Sequence, residues 1–175
     1  MAKKQNPATR GQLVIEEHTS RILADNPLGD PATRPLHVYL PPQYQSARYA
    51  KRRFPVLFDL VGYTGSGQSH TNWRNFEENV PEKLDRLINA KQMPPCIVVF
   101  PDCFTALGGN QYINSSAIGR YADYLTRELV PFVDQQFRTR AQREHRGCFG
   151  KSSGGYGAMV HGMRYANVWG AIANH

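Results

Sequence analysis

The stretch that decides the fold is Gly150-Lys151-Ser152-Ser153-Gly154-Gly155, which lies between a strand-like segment and a helix-like segment. It fits the pattern G-x-S-x-G, in which a tight strand-to-helix turn lifts the serine side chain above the edge of a sheet. The residues two before and two after the serine must be almost free of side-chain atoms, and Gly150 and Gly154 meet that demand. The turn predicts a strained backbone at Ser152 and makes this serine the candidate catalytic nucleophile.

Such a turn also positions hydrogen-bond donors for the oxyanion that forms during acyl transfer. The backbone N–H of Ser153 points into the space beside the serine hydroxyl, and the following helix adds its positive N-terminal dipole. A second donor is expected from a loop that follows an earlier buried strand, and Gly62-Tyr63 occupies such a place. We therefore predict an oxyanion hole made of the backbone N–H groups of Tyr63 and Ser153.

Strand-like and helix-like segments alternate along the rest of the chain. The strand-like segments lie at 12–18, 36–40, 54–61, 96–100, 147–149 and 170–173, and the helix-like segments at about 80–91, 120–137 and 153–165. Asn79 and Glu82 predict a capping box on the first helix, and Pro131 predicts a kink in the second. This alternation predicts the α/β class, with a mostly parallel sheet covered by helices on both faces.

Composition and charge exclude several classes of protein. The chain has 175 residues, of which 41% are hydrophobic and 20% charged, as in a globular domain. No apolar run approaches the roughly 20 residues that cross a bilayer. The basic start at Met1 to Asn6 has no apolar segment behind it, so we expect a solvated tail and not a secretory signal. The net charge of +7 is scattered apart from Arg48 to Arg53, which we interpret as a solvated loop; no nucleic-acid partner is predicted.

Cysteine usage and glycine spacing narrow the interpretation further. Cys96, Cys103 and Cys148 are odd in number and lack C-x-x-C spacing, so we expect reduced thiols in the cytoplasm and no zinc site. A phosphate-binding P-loop ending at Gly150-Lys151-Ser152 would need a glycine where the chain has His145. Gly62 to Gly67 has the spacing G-x-x-G-x-G, which disfavours a dinucleotide site.

Three segments together resemble a known family. They are Val38-Tyr39-Leu40-Pro41-Pro42, Pro55-Val56-Leu57-Phe58 running into Gly62-Tyr63-Thr64-Gly65, and the elbow extended to Tyr156-Gly157-Ala158. Over roughly residues 30 to 175 the chain resembles the putative-esterase family, which contains esterase D, enterochelin-type siderophore esterases, feruloyl esterases and mycolyltransferases. The resemblance implies an α/β-hydrolase fold, ester substrates, no cofactor and a Ser-Asp/Glu-His triad. It assigns the nucleophile to Ser152 and the oxyanion donors to Ser153 and Tyr63, and it predicts that their two strands are neighbours.

The acid and the base of the triad are the open part of this interpretation. In this fold the order along the chain is serine, acid, histidine, yet no Asp or Glu occurs between Ser153 and His175. His161 should be a packed helix residue that points away from the serine, and His175 an active-site-side loop residue at best. An arrangement of Ser152 with His70 and Asp102 is an alternative that departs from the order of the fold.

Two hypotheses about function follow. The first is a serine carboxylesterase that acts on a small-molecule ester through an acyl-enzyme on Ser152, with its triad completed beyond residue 175. Residues 1–30 would then be an extension with the first strand, residues 30–175 the N-terminal portion of an α/β-hydrolase domain, and the chain alone nearly inactive. Its last strand would be an unpaired edge, which predicts a complementing C-terminal segment or a homo-oligomer.

The second hypothesis is a non-catalytic pseudoenzyme or interaction domain with the same fold. Under the esterase hypothesis, hydrolysis and acyl transfer to an acceptor other than water share one chemistry, so the sequence does not distinguish them. The loop from Cys103 to Ile118, with Gln111, Tyr112 and Asn114, is expected to line the substrate site.

Overall fold

The central sheet has six strands, seen in a computed structural model that describes residues 9–175. The predicted tail at Met1 to Asn6 lies outside the described residues. The strands are β1 (Gln12–Thr19), β2 (Thr33–Leu40), β3 (Val56–Leu60), β4 (Ile97–Phe100), β5 (Phe104–Thr105), β6 (Gly108–Gly109), β7 (Asn114–Ser115), β8 (Gly119–Arg120), β9 (Arg146–Gly150) and β10 (Ala171–Asn174). The sheet order is β1-β2-β4-β3-β9-β10, while β5 pairs with β6 and β7 with β8 in two small ribbons.

The strand directions confirm the α/β class. β1 and β2 are antiparallel, as are β2 and β4, whereas β4, β3, β9 and β10 run parallel to one another. The predicted neighbours are also confirmed, because β3 pairs with β9 and Leu60 lies opposite Gly150. β1 pairs with β2 along its whole length, so residues 12–19 belong to the same sheet; the division at residue 30 stays a prediction.

Helices follow the predicted segments with one difference. They are α1 (Val80–Asn89), α2 (Tyr121–Asp123), α3 (Val130–Gln136) and α4 (Ser153–Arg164). The capping box on α1 is confirmed: Asn79 accepts from the Glu82 N–H, and the Glu82 carboxylate accepts from the Asn79 N–H. The second helix is not one regular helix with a kink, because a π-helical segment, Tyr124–Leu129, separates α2 from α3. Pro131 lies two residues after this segment, in the first turn of α3, and has no N–H for the preceding turn, so a change of hydrogen-bond register is favourable there.

Apolar side chains pack on both faces of the sheet. On one face α2, α3 and α4 cover alternate residues of the strands, among them Val38, Val56, Phe58, Leu60, Val99 and Cys148, together with Trp169. On the other face α1 contributes Leu84 and Ile88, which pack with Tyr39, Val98 and Phe100. The prediction of helices on both faces is therefore confirmed.

Between residues 9 and 175 we searched for a membrane-spanning helix, a metal-binding cluster and paired cysteines, and found none of the three. No helix there has the length and apolarity to cross a membrane. Histidine, cysteine and acidic side chains do not gather there in a group of three that could hold a metal ion. The three cysteines are unpaired and buried, and burial raises the pKa of Cys96 and of Cys148 to about 12. These thiols are therefore packed as small core residues.

Candidate active site

Ser152 lies at the turn from β9 to α4 in a strained backbone conformation. Its φ is 59° and its ψ is −123°, so a non-glycine residue has a positive φ between a strand that ends at Gly150 and a helix that begins at Ser153. Ser152 itself is exposed to solvent. The turn therefore has the geometry that the sequence pattern predicts, while the catalytic role of Ser152 stays a prediction.

The glycines of the turn allow its backbone to press against the end of β3. A Cβ atom on Gly154 would lie 1.8 Å from the carbonyl oxygen of Leu60, and one on Gly150 would lie 2.4 Å from the same oxygen. Both contacts are with backbone that cannot move aside without disturbing the sheet. Any side chain at these positions would push α4 and its serine away from β3.

The segment Gly62-Tyr63 adjoins the serine from the neighbouring strand. A Cβ atom added to Gly62 would lie 3.7 Å from the Cβ of Ser152 and 3.5 Å from the carbonyl oxygen of Lys151. Within residues 9–175, neither the Tyr63 N–H nor the Ser153 N–H donates a hydrogen bond to a backbone carbonyl. The structure thus brings the two predicted donors to the same edge of the sheet with their N–H groups unused; their role as an oxyanion hole stays a prediction.

The loop from 103 to 118 forms two hydrogen bonds with Tyr63. The Tyr63 carbonyl oxygen accepts from the Gly109 N–H at 2.6 Å, and the Tyr63 hydroxyl donates to the Leu107 carbonyl oxygen. The Tyr63 side chain is 55% exposed and borders a cavity of about 320 Å³. The other residues lining this cavity include Thr105, Leu107, Asn110, Gln111, Ile113 and Ile118.

Tyr112 does not line this cavity, so its predicted contact with substrate is wrong. Its side chain is only 2% exposed, and its hydroxyl donates to the Val61 carbonyl oxygen at 2.8 Å. Asn114 is likewise occupied, because its side-chain oxygen accepts from the Asp123 N–H. Of the three polar residues expected at the substrate site, Gln111 alone lines the cavity.

His161 is a packed helix residue, as predicted. It is fully buried, its Nε2 lies 2.8 Å from the Tyr112 carbonyl oxygen, and its Nδ1 accepts from the Trp169 indole at 3.0 Å. Burial lowers its pKa, although the contact with Tyr112 opposes that shift. With both ring nitrogens engaged, His161 has no free position from which to take a proton from Ser152.

His175 contacts the turn through its backbone. Its N–H donates to the Gly150 carbonyl oxygen at 3.0 Å, and its carbonyl oxygen accepts from the Ser152 N–H at 2.9 Å. The residue is exposed, as expected for a loop on this side of the sheet. Its main chain therefore continues the β9–β10 ladder up to the serine.

The alternative that joins His70 to Asp102 is wrong, because each has another partner. The Nδ1 of His70 lies 2.7 Å from Oδ2 of Asp59, whose side chain is 1% exposed. Asp102 accepts from the Phe104 N–H and lies 3.6 Å from the guanidinium of Arg34. The pair of Asp59 and His70 was not predicted. A carboxylate inside the apolar strand 54–61 is the signal that could have revealed it, since buried charges require partners.

Proteins of known structure share this architecture. A ferulic acid esterase superposes with a TM-score of 0.78 at 23% identity, over 94% of this chain and 58% of that one. An S-formylglutathione hydrolase from Agrobacterium tumefaciens superposes with a TM-score of 0.67 at 21% identity, over 98% of this chain and 60% of that one. These likenesses establish the α/β-hydrolase fold.

Sequence relatives agree with the fold. An esterase of Mycobacterium tuberculosis is 27% identical over 146 residues, which is 80% of this chain and 28% of the relative. An endo-1,4-beta-xylanase/feruloyl esterase of Xylanibacter ruminicola is 29% identical over 140 residues, which is 77% of this chain and 18% of the relative. The chain thus spans less than a third of the length of these curated relatives.

The family assignment rests on a match over most of the chain. Residues 31–175 match the family described as "Putative esterase". That range holds β2 to β10 and therefore the turn at Ser152, the Gly62-Tyr63 segment and the loop that holds Tyr63. The chain belongs to the putative esterase family.

Proposed function

We propose that this chain carries the nucleophile and the oxyanion hole of a serine esterase that hydrolyses a small carboxylic ester through an acyl-enzyme on Ser152. The observation that carries the proposal is the strained turn at Ser152, with φ 59° and ψ −123°, set against Gly62-Tyr63. A strained, exposed serine beside two unused N–H groups is the arrangement that acyl transfer requires. Membership of an esterase family supports the same reaction class.

The reaction then runs in two halves. The Ser152 oxygen attacks the ester carbonyl as its proton passes to a histidine, and the oxyanion receives hydrogen bonds from the Tyr63 and Ser153 N–H groups. The protonated histidine gives its proton to the leaving alcohol as the C–O bond breaks, which leaves an acyl group on Ser152. Water, deprotonated by the same histidine, then releases the acid and restores the serine. If another alcohol replaces water, the same chemistry becomes acyl transfer.

The acid and the histidine of the triad are proposed to come from sequence beyond residue 175. Between Ser153 and His175 the chain has no carboxylate side chain, and His161 has both ring nitrogens engaged. Solved neighbours are longer, since this chain covers 58% and 60% of the two described above. We therefore expect little turnover from the 175 residues alone, because an unassisted serine hydroxyl is a poor nucleophile.

A fluorophosphonate probe tests the nucleophile in the longest protein that contains this chain. Mass spectrometry should locate the phosphonyl group on Ser152, and Ser152→Ala should abolish labelling and ester hydrolysis together. Ser46→Ala is a matched control, because Ser46 precedes the short 3-10 turn Ala47–Tyr49, makes no capping hydrogen bond and belongs to neither the Ser152 turn nor the Gly62-Tyr63 segment. Labelling that survives Ser152→Ala would refute the proposal. A protein that takes up no probe and hydrolyses no ester would be the pseudoenzyme or interaction domain instead.

We also propose that the complementing C-terminal segment covers β10. Residues 171–174 are exposed throughout, and a cavity of about 340 Å³ beside them is lined by apolar residues of β3, β9 and β10. An uncovered apolar edge strand favours pairing with further chain. Hydrogen exchange should find the β10 amides protected in the longer protein and not in residues 1–175. Protection that grows with the concentration of the shorter chain would indicate a homo-oligomer.

A cytoplasmic location is a further proposal, supported by the three unpaired thiols. Cell fractionation with an antibody against the chain tests it, and recovery of the protein in the secreted fraction would contradict it.

A further inference from the structure

Tyr112 stands where three segments of the candidate active site meet. It belongs to the loop from 103 to 118, it is buried, and its φ of 58° lies in the left-handed region that non-glycine residues rarely occupy. Asn110 holds this conformation: its side-chain oxygen accepts from the Tyr112 N–H at 2.5 Å, while its amide donates to the Cys103 carbonyl oxygen at 2.6 Å. An unfavourable backbone conformation persists only where the surroundings determine it.

The side chain of Tyr112 reaches the segment that carries the first oxyanion donor. Its hydroxyl donates to the carbonyl oxygen of Val61, the residue that directly precedes Gly62-Tyr63. A Cβ atom added to Gly154 in the turn would lie 2.8 Å from the same carbonyl oxygen, so the turn and Val61 are in close contact. Val61 is therefore fixed on one side by the Tyr112 hydroxyl and on the other by the start of α4.

The backbone and the ring of Tyr112 reach the helix that carries the second donor. Its carbonyl oxygen contacts Nε2 of His161 at 2.8 Å, and Nδ1 of His161 accepts from Trp169 at 3.0 Å. The Tyr112 ring also packs against Gly157, one turn into α4, where an added Cβ atom would lie 2.7 Å from a ring carbon. Since His161 is fully buried, this connection is rigid.

We propose that Tyr112 is a positioning residue that sets the separation of the two oxyanion donors. The Tyr63 N–H belongs to the loop after β3 and the Ser153 N–H to α4, so their separation depends on how these segments are held together. Tyr112 binds both through one side chain and one carbonyl group, without contacting the substrate. The inference rests on the proposed esterase function and adds to it the residue that holds its oxyanion hole in register.

Tyr112→Phe in the longest protein that contains this chain tests the proposal, since it removes the hydrogen bond to Val61 and keeps the ring. We expect kcat for a short p-nitrophenyl ester to fall about tenfold, a part of the 10²–10³ that the loss of a whole donor costs. KM should change less than about twofold, because the donors act on the transition state. The rate of fluorophosphonate labelling should fall in parallel. Rates are referred to the concentration of titrated active sites.

Tyr39→Phe is the matched control. Tyr39 is another buried tyrosine, and its hydroxyl donates to Asp85 at 2.6 Å on the face of the sheet that α1 covers. A merely structural role predicts that both variants lose stability and keep kcat per active site. Unchanged kcat in Tyr112→Phe, an equal fall in both variants, or a rise in KM alone would overturn the proposal.

A second variant keeps the test valid if Tyr112→Phe does not fold. Gly157→Ala removes no hydrogen-bonding group of Tyr112 and replaces a helical glycine with a better helix former. Its methyl group would lie 2.7 Å from a ring carbon of Tyr112, so the ring must shift from its place between the two segments. It should lower kcat in the same way, and an unchanged kcat would overturn the proposal. Activity that survives Ser152→Ala would instead refute the esterase mechanism, so the two failures are distinguishable.

Discussion

The centre of the sheet and its β10 edge differ in how tightly they are packed. Where β3 meets β9, a single added carbon on Gly154 would come within 1.8 Å of the Leu60 carbonyl oxygen. At β10, residues 171–174 are all exposed, and Ile172 retains 40% of its surface. The two regions are only one strand apart, since β10 pairs with β9 directly.

This difference shows which part of the site is preorganised by the chain itself. The turn, the Gly62-Tyr63 segment and Tyr112 are held by contacts among the interior strands, α4 and the loop from 103 to 118. β10 adds backbone hydrogen bonds to the turn through the adjoining His175, but residues 171–174 stay exposed, although the Ile172 side chain lies against Gly162 of α4. The geometry of the turn at Ser152 therefore depends on the centre, whereas the proposed C-terminal segment would act at the edge.

The largest effect is expected from the centre. Gly154→Ala should lower the free energy of unfolding by about 3 kcal/mol or more, because its methyl group would overlap backbone atoms of β3 that cannot relax. Urea denaturation followed by circular dichroism measures the change. Gly62→Ala is the control: its nearest neighbour would be 3.5 Å away, an ordinary contact, so we expect a loss below about 1 kcal/mol. Equal midpoints for the two variants would contradict the contrast.

The pair of Asp59, in β3, and His70, in the segment that follows Gly62-Tyr63, gives the next effect. His70→Ala would leave the buried Asp59 carboxylate without its partner, and Oδ1 of Asp59 already has none. We expect a loss of about 2 kcal/mol, below the 3–5 kcal/mol of a fully buried pair because His70 is partly exposed.

A double-mutant cycle with Asp59→Asn isolates the interaction of this pair. The double variant should be more stable than the sum of the two single losses predicts, since it contains neither an unpaired carboxylate nor an unpaired imidazole. A coupling energy near zero would show that the 2.7 Å contact contributes nothing to stability.

What the sequence could predict depends on whether the contacting residues are neighbours along the chain. Local patterns revealed the six strands of the central sheet, the capping box at Asn79 and the turn at Ser152, because each depends on neighbours along the chain; the short strands β5 to β8, in the segment expected to be a loop, were not predicted. The pair of Asp59 and His70 and the connection through Tyr112 depend on side chains that the folded chain brings together from separate elements. A polar residue in an apolar strand indicates that a partner exists without saying which one.

The π-helical segment before Pro131 shows the same limit. Proline predicts that the regular hydrogen-bond ladder is interrupted, but the tertiary contacts decide how it is interrupted. Leu125 and Leu129 are fully buried within that segment. A change of helical register that keeps such side chains in the core cannot be predicted from propensity alone.

His161 gives a smaller, pH-dependent effect. Burial lowers its pKa in the folded protein from the ordinary 6.5, so below that pH the unfolded chain takes up a proton first. Stability should therefore be full above pH 6.5 and fall as the pH decreases toward the folded pKa, by about 1.4 kcal/mol for each unit of lowering. Urea midpoints measured from about pH 7.5 to about pH 5 should show this fall.

His161→Gln should make that fall shallower without removing it. Burial also lowers the pKa of His37, against the opposing charge of Asp102, so a second histidine contributes to the slope. The comparison uses the slope of stability with pH and not its absolute value, because the substitution also disturbs the contacts with Tyr112 and Trp169. An identical slope in wild type and variant would contradict the assignment to His161.

The smallest effect on stability is expected at the edge, where Ala173→Lys tests the other side of the comparison. Ala173 is exposed in β10 and borders the apolar cavity, so the lysine can reach water and we expect a change within about 0.5 kcal/mol. Its charge should reduce self-association of residues 1–175 in analytical ultracentrifugation, because charged edge strands pair poorly. Ala90→Lys adds the same charge at the end of α1 and should leave association unchanged. If wild type and both variants sediment alike, then β10 does not mediate self-association, and the centre of the sheet and the β10 edge differ only in packing.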